Sequence, residues 1–165
     1  MDITSLMAGF PTGVAVITTF ARDGTPWGMT CSSLCSVTLE PPTLLVCLRR
    51  GSPTLRSVLE HRAFSVNLLA EQARSTAELF SSGEPRRFDR VPWVGSAEQD
   101  AGPHLVDCAH SFADCELIAD REVGTHQVLF GRVLDVRRLR EPRPLLYGLR
   151  TYAGWPGRDR ASAGV

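Results

Sequence analysis

Thr12-Gly13-Val14-Ala15-Val16-Ile17-Thr18-Thr19-Phe20 is the stretch on which the fold turns. It is dominated by β-branched residues, which fit a pleated, half-buried surface better than a helix. Arg22-Asp23-Gly24-Thr25-Pro26 follows with the chemistry of a tight hairpin. A second extended stretch is predicted over 27–38, ended by Glu40-Pro41-Pro42. Residues 43–48 (TLLVCL) form a short unbroken apolar run of the kind a buried strand carries.

Further out, Ser52 can cap a helix whose first position is Pro53 and whose stripe is Leu55, Val58 and Leu59. Residues 63–69 (AFSVNLL) predict another strand, and 71–80 a helix with Ala73, Ala77 and Phe80 on one face. Residues 81–103 are rich in Gly, Pro and charge and are expected to be a long excursion rather than core. Strands over 112–119 and 126–139, joined through 120–125, complete the set. Several strands on short turns with few helices predict a mainly β protein, a β-barrel with a few flanking helices, rather than a doubly wound sheet. The expected organisation is one domain over 1–153 and a flexible tail over 154–165 (GWPGRDRASAGV).

Composition narrows the function. Of 165 residues 43% are apolar, enough for one ordinary core, and no apolar run approaches the roughly 18 residues of a membrane span. Eighteen basic residues balance eighteen acidic ones, which argues against a broad footprint for nucleic acid or an anionic membrane. Every basic residue is an arginine, so lysine Schiff-base chemistry and a P-loop are excluded. Met1-Asp2-Ile3-Thr4-Ser5 has no basic cluster, and the expected compartment is the cytoplasm. Five cysteines are then expected to be free thiols; Cys108, His110 and Cys115 match no common zinc spacing. G-x-G-x-x-G is absent, so a nicotinamide cofactor is not held by that fingerprint.

Three constellations can carry chemistry. Arg49-Arg50-Gly51-Ser52-Pro53-Thr54 places two guanidinium groups and two hydroxyls at a helix start, where free N–H groups and the helix dipole suit a phosphate. A plain capped helix with solvent-facing arginines reads equally well. Gly28-Met29-Thr30-Cys31-Ser32-Ser33-Leu34-Cys35-Ser36 is crowded with small hydroxyls; it is either a binding edge for the polar rim of a planar ligand or a solvent-facing strand. Gly124-Thr125-His126 feeds a histidine from a turn into a strand, whereas His61, His104 and His110 have less context. No nucleophile–histidine motif supports a hydrolase.

Taken in order, these segments resemble the flavin reductase-like family of the FMN-binding split barrel, over roughly residues 10–152. Phe10-Pro11-Thr12-Gly13-Val14-Ala15-Val16-Ile17-Thr18-Thr19 is similar to that family's opening strand. Asp23-Gly24-Thr25-Pro26-Trp27-Gly28-Met29-Thr30-Cys31-Ser32-Ser33-Leu34 resembles its D-G-x-x-x-G-M-T-x-x-S-F segment. Ser36-Val37-Thr38-Leu39-Glu40-Pro41-Pro42 resembles S-V-S-x-x-P-P, Phe64-Ser65-Val66-Asn67-Leu68-Leu69 resembles F-x-V-N-x-L, and Gly124-Thr125-His126 stands where the family has G-D-H.

The resemblance implies a homodimer that uses NADH or NADPH to reduce FMN or FAD for a partner flavin-dependent monooxygenase. It places Thr30, Cys31, Ser32 and Ser33 along the flavin, and Ser36 and Val37 at the isoalloxazine edge. Arg49, Ser52 and Thr54 would hold the phosphate, and His126 would orient the nicotinamide. Tyr152, after Arg150 in the family's terminal R-x-Y, would close the pocket. Phe88, with Arg86 and Arg87 in the 81–103 excursion, falls where the choice of FMN or FAD is expected. Thr125 for aspartate removes a carboxylate beside His126, and Leu34 replaces a common phenylalanine. A non-catalytic flavin carrier and a flavin-dependent oxidase of the pyridoxamine-phosphate type are the alternatives on the same barrel.

Overall fold

The computed structural model describes residues 2–95 and 100–156. Ten strands and three helices follow one another as α1 (Ile3–Ala8), β1 (Thr12–Gly13), β2 (Ala15–Phe20), β3 (Pro26–Cys31), β4 (Cys35–Leu39), β5 (Pro42–Arg49), α2 (Pro53–His61), β6 (Ala63–Leu69), α3 (Arg74–Ser81), β7 (Ala109–Val123), β8 (His126–Arg138), β9 (Leu145–Gly148) and β10 (Thr151–Gly154). Seven of the strands form one antiparallel sheet in the order β3-β2-β6-β7-β8-β5-β4, and β1-β9-β10 form a second, small sheet.

The large sheet must be rolled. Its two edge strands, β3 and β4, are consecutive in the chain and joined only by Ser32, Ser33 and Leu34. A flat seven-stranded sheet would hold its edges about 29 Å apart. A three-residue linker reaches only about 14 Å. The edges therefore meet at a seam, which Ser33 stitches: its Oγ accepts from the Cys47 N–H at 3.1 Å and donates to the Cys47 carbonyl at 3.2 Å. The single extended stretch expected over 27–38 is thus two strands on opposite edges, broken where the chain crosses.

β2 explains why its sequence is apolar on both faces. Ala15 and Ile17 point into the barrel with Val46, Leu48, Phe64, Val66, Cys115 and Leu129, and Leu55 and Val58 of α2 pack into the same cluster. Val14 and Val16 point outward, beneath Ala77 and Phe80 of α3 and against Phe88, Val91 and Leu105. Residues 81–103 are therefore not merely an excursion. Phe88 stacks edge-on to Phe80 at 5.0 Å, and Asn67 on β6 holds the segment that follows the loop through Pro103 and Leu105.

Four further expectations need correction. The helix expected from residue 71 starts at Arg74. The strand expected over 112–119 runs over Ala109–Val123, leaving only Gly124 and Thr125 before β8, because residues 118–123 are exposed and lack a hydrophobic alternation. α1, β9 and β10 were not foreseen. Within the tail expected from Gly154, Gly154 itself pairs with Leu145 and the Trp155 N–H donates to the Pro144 carbonyl; residues 157–165 lie outside the described ones. No helix among the described residues is long and apolar enough to cross a membrane.

The barrel interior tolerates no extra volume at Gly131 of β8. A Cβ there would stand 2.5 Å from Cζ of the fully buried Phe64 and 3.0 Å from Cβ of Cys115. Gly131→Ala is expected to lower stability by about 1–3 kcal/mol through overpacking, read as a lower Tm in a thermal melt.

Candidate flavin and nicotinamide site

The seam opens on one side into a cleft of about 490 Å3. Thr30, Cys31, Ser32 and Ser33 come to it from the end of β3 and the crossing linker, Cys47 and Arg49 from β5, and His126 and Val128 from β8. Arg49 and His126 are register partners across the β5–β8 pair, so the sheet itself sets a guanidinium beside an imidazole. Cys47 and Arg49 share one face of β5 by the two-residue period, as do His126 and Val128 on β8, while Val46 and Leu48 face the core.

Most polar groups here are already engaged in holding the fold. The Thr30 hydroxyl donates to the Ala77 carbonyl of α3 at 2.6 Å, which leaves that residue's backbone for a ligand. Ser33 is tied into the seam. Burial pushes the Cys31 thiol up, so it stays protonated and supplies no nucleophile. Arg50 is held at the hairpin tip by Glu122 at 2.6 Å and the Gly124 carbonyl at 3.2 Å.

Three groups have no partner among the described residues: the Ser32 hydroxyl, the Arg49 guanidinium and Nε2 of His126. Nδ1 of His126 lies 3.0 Å from the Thr125 hydroxyl, a contact that orients the ring. The donor set is a hydroxyl, backbone groups, one unpaired cation and one oriented imidazole. It fits a planar heteroaromatic ligand with a polar rim and an anionic tail, with a second polar reactant beside it.

The remaining expected residues are not in the cleft. Ser52 caps α2, accepting from the Leu55 N–H at 3.2 Å, and lines an adjacent groove; Thr54 is buried under the first turn at 1% exposure. Ser36 and Val37 lie on the exposed edge strand β4. Phe88 is packed in the second core cluster. Tyr152 packs at a tilt against Tyr147, ring centroids 5.0 Å apart, with the Arg74 guanidinium above it, and burial raises its phenol. It is Tyr147, with Phe10, Met7 and Arg150, that lines a second hollow of about 420 Å3 sharing Ser32 and Ser33 with the cleft. The sequence reading also missed Met29, Cys47, Val123 and Val128; two-residue spacing from Arg49 and His126 was the signal for Cys47 and Val128.

A family model described as a flavin reductase like domain matches residues 7–156. The chain belongs to the flavin reductase-like family. Within it, the chain is 49% identical over 154 residues to a flavin reductase (NADPH) of Lentzea aerocolonigenes, covering 93% of this chain and 89% of that one. It is 35% identical over 150 residues to the reductase subunit HsaB of a flavin-dependent monooxygenase of Rhodococcus jostii, covering 91% and 75%. Among solved structures it is similar to the NADH:FAD oxidoreductase SgcE6 of Streptomyces globisporus, in complex with NAD and FAD fragments, with a TM-score of 0.87 at 26% identity over 96% of this chain and 93% of that one. The flavin reductase-like fold is therefore shared nearly end to end, with the seam cleft built from this chain's own residues.

Proposed function

We propose that this chain is an NAD(P)H:flavin oxidoreductase that passes a hydride from NADH or NADPH to FMN or FAD and supplies the reduced flavin to a separate flavin-dependent monooxygenase. The observation that carries this reading is the Arg49–His126 register pair beside the hydroxyl-rich seam: one unpaired cation for a phosphate and one oriented imidazole for a nicotinamide, on adjacent strands. When bound, the flavin supplies the hydride acceptor, so the protein's part is binding, alignment and electrostatics. Backbone groups of 30–33 and the Ser32 hydroxyl would hold its polar rim. Arg49, with the N-terminus of α2, would hold the phosphate. His126, its Nδ1 engaged by Thr125, would direct Nε2 to the nicotinamide.

The relative at 49% identity is named for NADPH, and the structural neighbour for NADH and FAD; the monooxygenase partner rests on relatives such as HsaB. A homodimer follows from the family resemblance and is supported by β4, an edge strand exposed along its whole length with Val37 and Leu39 outward, a surface that a second copy would cover. Five free thiols suit a reducing cytoplasm.

The test is loss of absorbance at about 340 nm, the reduced-nicotinamide band, crossing NADH and NADPH against FMN, FAD and riboflavin. Oxidation that requires added flavin is the expected result, and the same plate reads both cofactor preferences. Flavin binding without nicotinamide oxidation would replace this reading with the carrier or the oxidase.

A further inference from the structure

The ladder between β5 and β8 ends with the pair Arg49–His126, but the chain past it stays attached to the β7–β8 hairpin. One residue on, the Arg50 N–H donates to the Thr125 carbonyl at 2.9 Å. The Arg50 guanidinium turns to the same hairpin tip: Nη1 donates to the Gly124 carbonyl at 3.2 Å and forms an ion pair with Glu122 at 2.6 Å. Among the described residues, no other side chain from outside the hairpin makes a hydrogen bond or ion pair to residues 122–125. Arg62, which approaches the hairpin further down, reaches only Leu117 and Asp120.

The tip needs such a hold. Residues 118–123 of β7 are exposed, so no packed core fixes the end of the hairpin. Its two turn residues are Gly124, at φ 55°, and Thr125, whose hydroxyl lies 3.0 Å from Nδ1 of His126. A hydroxyl on a loose turn would orient a ring only loosely. Here both carbonyls of the turn are held by Arg50, so the Thr125 hydroxyl stands on a fixed backbone. The two neighbouring arginines divide their work: Arg49 lines the cleft without a partner among the described residues, whereas the Arg50 charge is met by Glu122. An ion pair this exposed contributes little to stability. A small misplacement of a group that aligns a reactant, by contrast, can cost a large factor in rate. The effect of Arg50 therefore belongs in turnover rather than in the melting temperature.

We propose that Arg50 is a positioning residue for nicotinamide oxidation: by holding the Gly124 and Thr125 carbonyls, it fixes the turn from which Thr125 aligns His126. The inference rests on the NAD(P)H:flavin oxidoreductase reading and adds to it a residue that acts through His126 and touches neither reactant.

A double-mutant cycle in the full chain tests it, with Arg50→Ala, Arg50→Lys, His126→Ala and the combined Arg50→Ala/His126→Ala variant. At saturating FMN, Arg50→Ala is expected to lower kcat/KM for NADPH or NADH roughly three- to thirtyfold. Kd for FMN should stay within about twofold and Tm within about 4 °C. On the His126→Ala background the same change is expected to cost less than about twofold, because the ring it positions is gone. Arg50→Lys should recover part of the loss, since an ammonium keeps the charge but not the fork that meets Glu122 and Gly124 together. An equal loss on both backgrounds would overturn the proposal and make Arg50 a direct contact of the cofactor. So would an unchanged kcat/KM, or a loss that tracks a weaker Kd for FMN. Failure of the underlying reading looks different: the unaltered chain itself would show no flavin-dependent oxidation of NAD(P)H, and the proposal would fall with it.

Discussion

Replacing His126 with alanine is expected to cut kcat/KM for NADH and NADPH by roughly ten- to a hundredfold, the worth of one hydrogen bond to a polar reactant. Kd for FMN should stay within about twofold. The split follows from where the side chain stands. His126 is on β8, at the mouth of the cleft and exposed, so its removal costs little stability. Its Nδ1 is engaged by Thr125, which fixes the ring and leaves Nε2 for the second reactant. The charge proposed to hold the phosphate, by contrast, is on Arg49 of the neighbouring strand and survives the change. Stopped-flow reduction of bound FMN, beside a fluorescence titration of FMN alone, separates the two effects. Lost flavin binding with intact turnover in the residual complex would reverse the assigned roles.

The sequence carried the parts of this fold in which local chemistry and burial agree. Ser52 before Pro53 marks a helix start because its hydroxyl satisfies an N–H that nothing else reaches, and the structure has that bond. Residues 63–69 were legible as a strand because both of its faces are buried, so the run needs no register to be recognised. The break at Ser32–Leu34 was not legible. A strand that stays extended on one sheet edge and a chain that crosses a seam use the same small, extended residues; only the place of the β2–β3 and β4–β5 hairpins at opposite ends of the sheet distinguishes them. The hydroxyls there were nevertheless recognised as a possible binding edge, and the seam explains why they gather: Ser33 bonds to β5, and Ser32 has no partner among the described residues.

The loop from 81 to 103 misled for a related reason. Its Gly, Pro and charge content is that of a surface segment, yet Phe88 and Val91 are buried and Arg87 lies over the rings of Trp27 and Phe80. Burial raises the cost of that guanidinium's charge and lowers its pKa, an arrangement that no residue-by-residue polarity count would anticipate. β9 and β10 were missed because strands this short, flanked by prolines and arginines, have no period to read. Their hairpin puts Leu149 and Arg150 at φ 50° and 60°, where Gly or Asn would have signalled the turn.

Asn67→Ala is expected to cost about 2–4 kcal/mol of stability, because it removes the centre of a buried hydrogen-bond network rather than a single contact. Asn67 is the chain's only asparagine and is fully buried on β6. Its amide donates to the Thr18 hydroxyl at 3.0 Å and the Pro103 carbonyl at 3.2 Å, and its carbonyl accepts from the Leu105 N–H at 2.8 Å. Alanine leaves the Leu105 N–H buried without an acceptor. The Pro103 carbonyl keeps the Thr18 hydroxyl, at 2.6 Å, which is why the loss stops short of the sum of the bonds. The neighbouring Ser65–Asp114–His104 contacts, at 2.5 Å and 2.7 Å, pin the same segment from β7 and should keep the variant folded. A lower urea midpoint at unchanged m, with the FMN and FAD affinities preserved, is the expected outcome. Lost FMN and FAD affinity in this variant would show instead that the network also shapes the cleft.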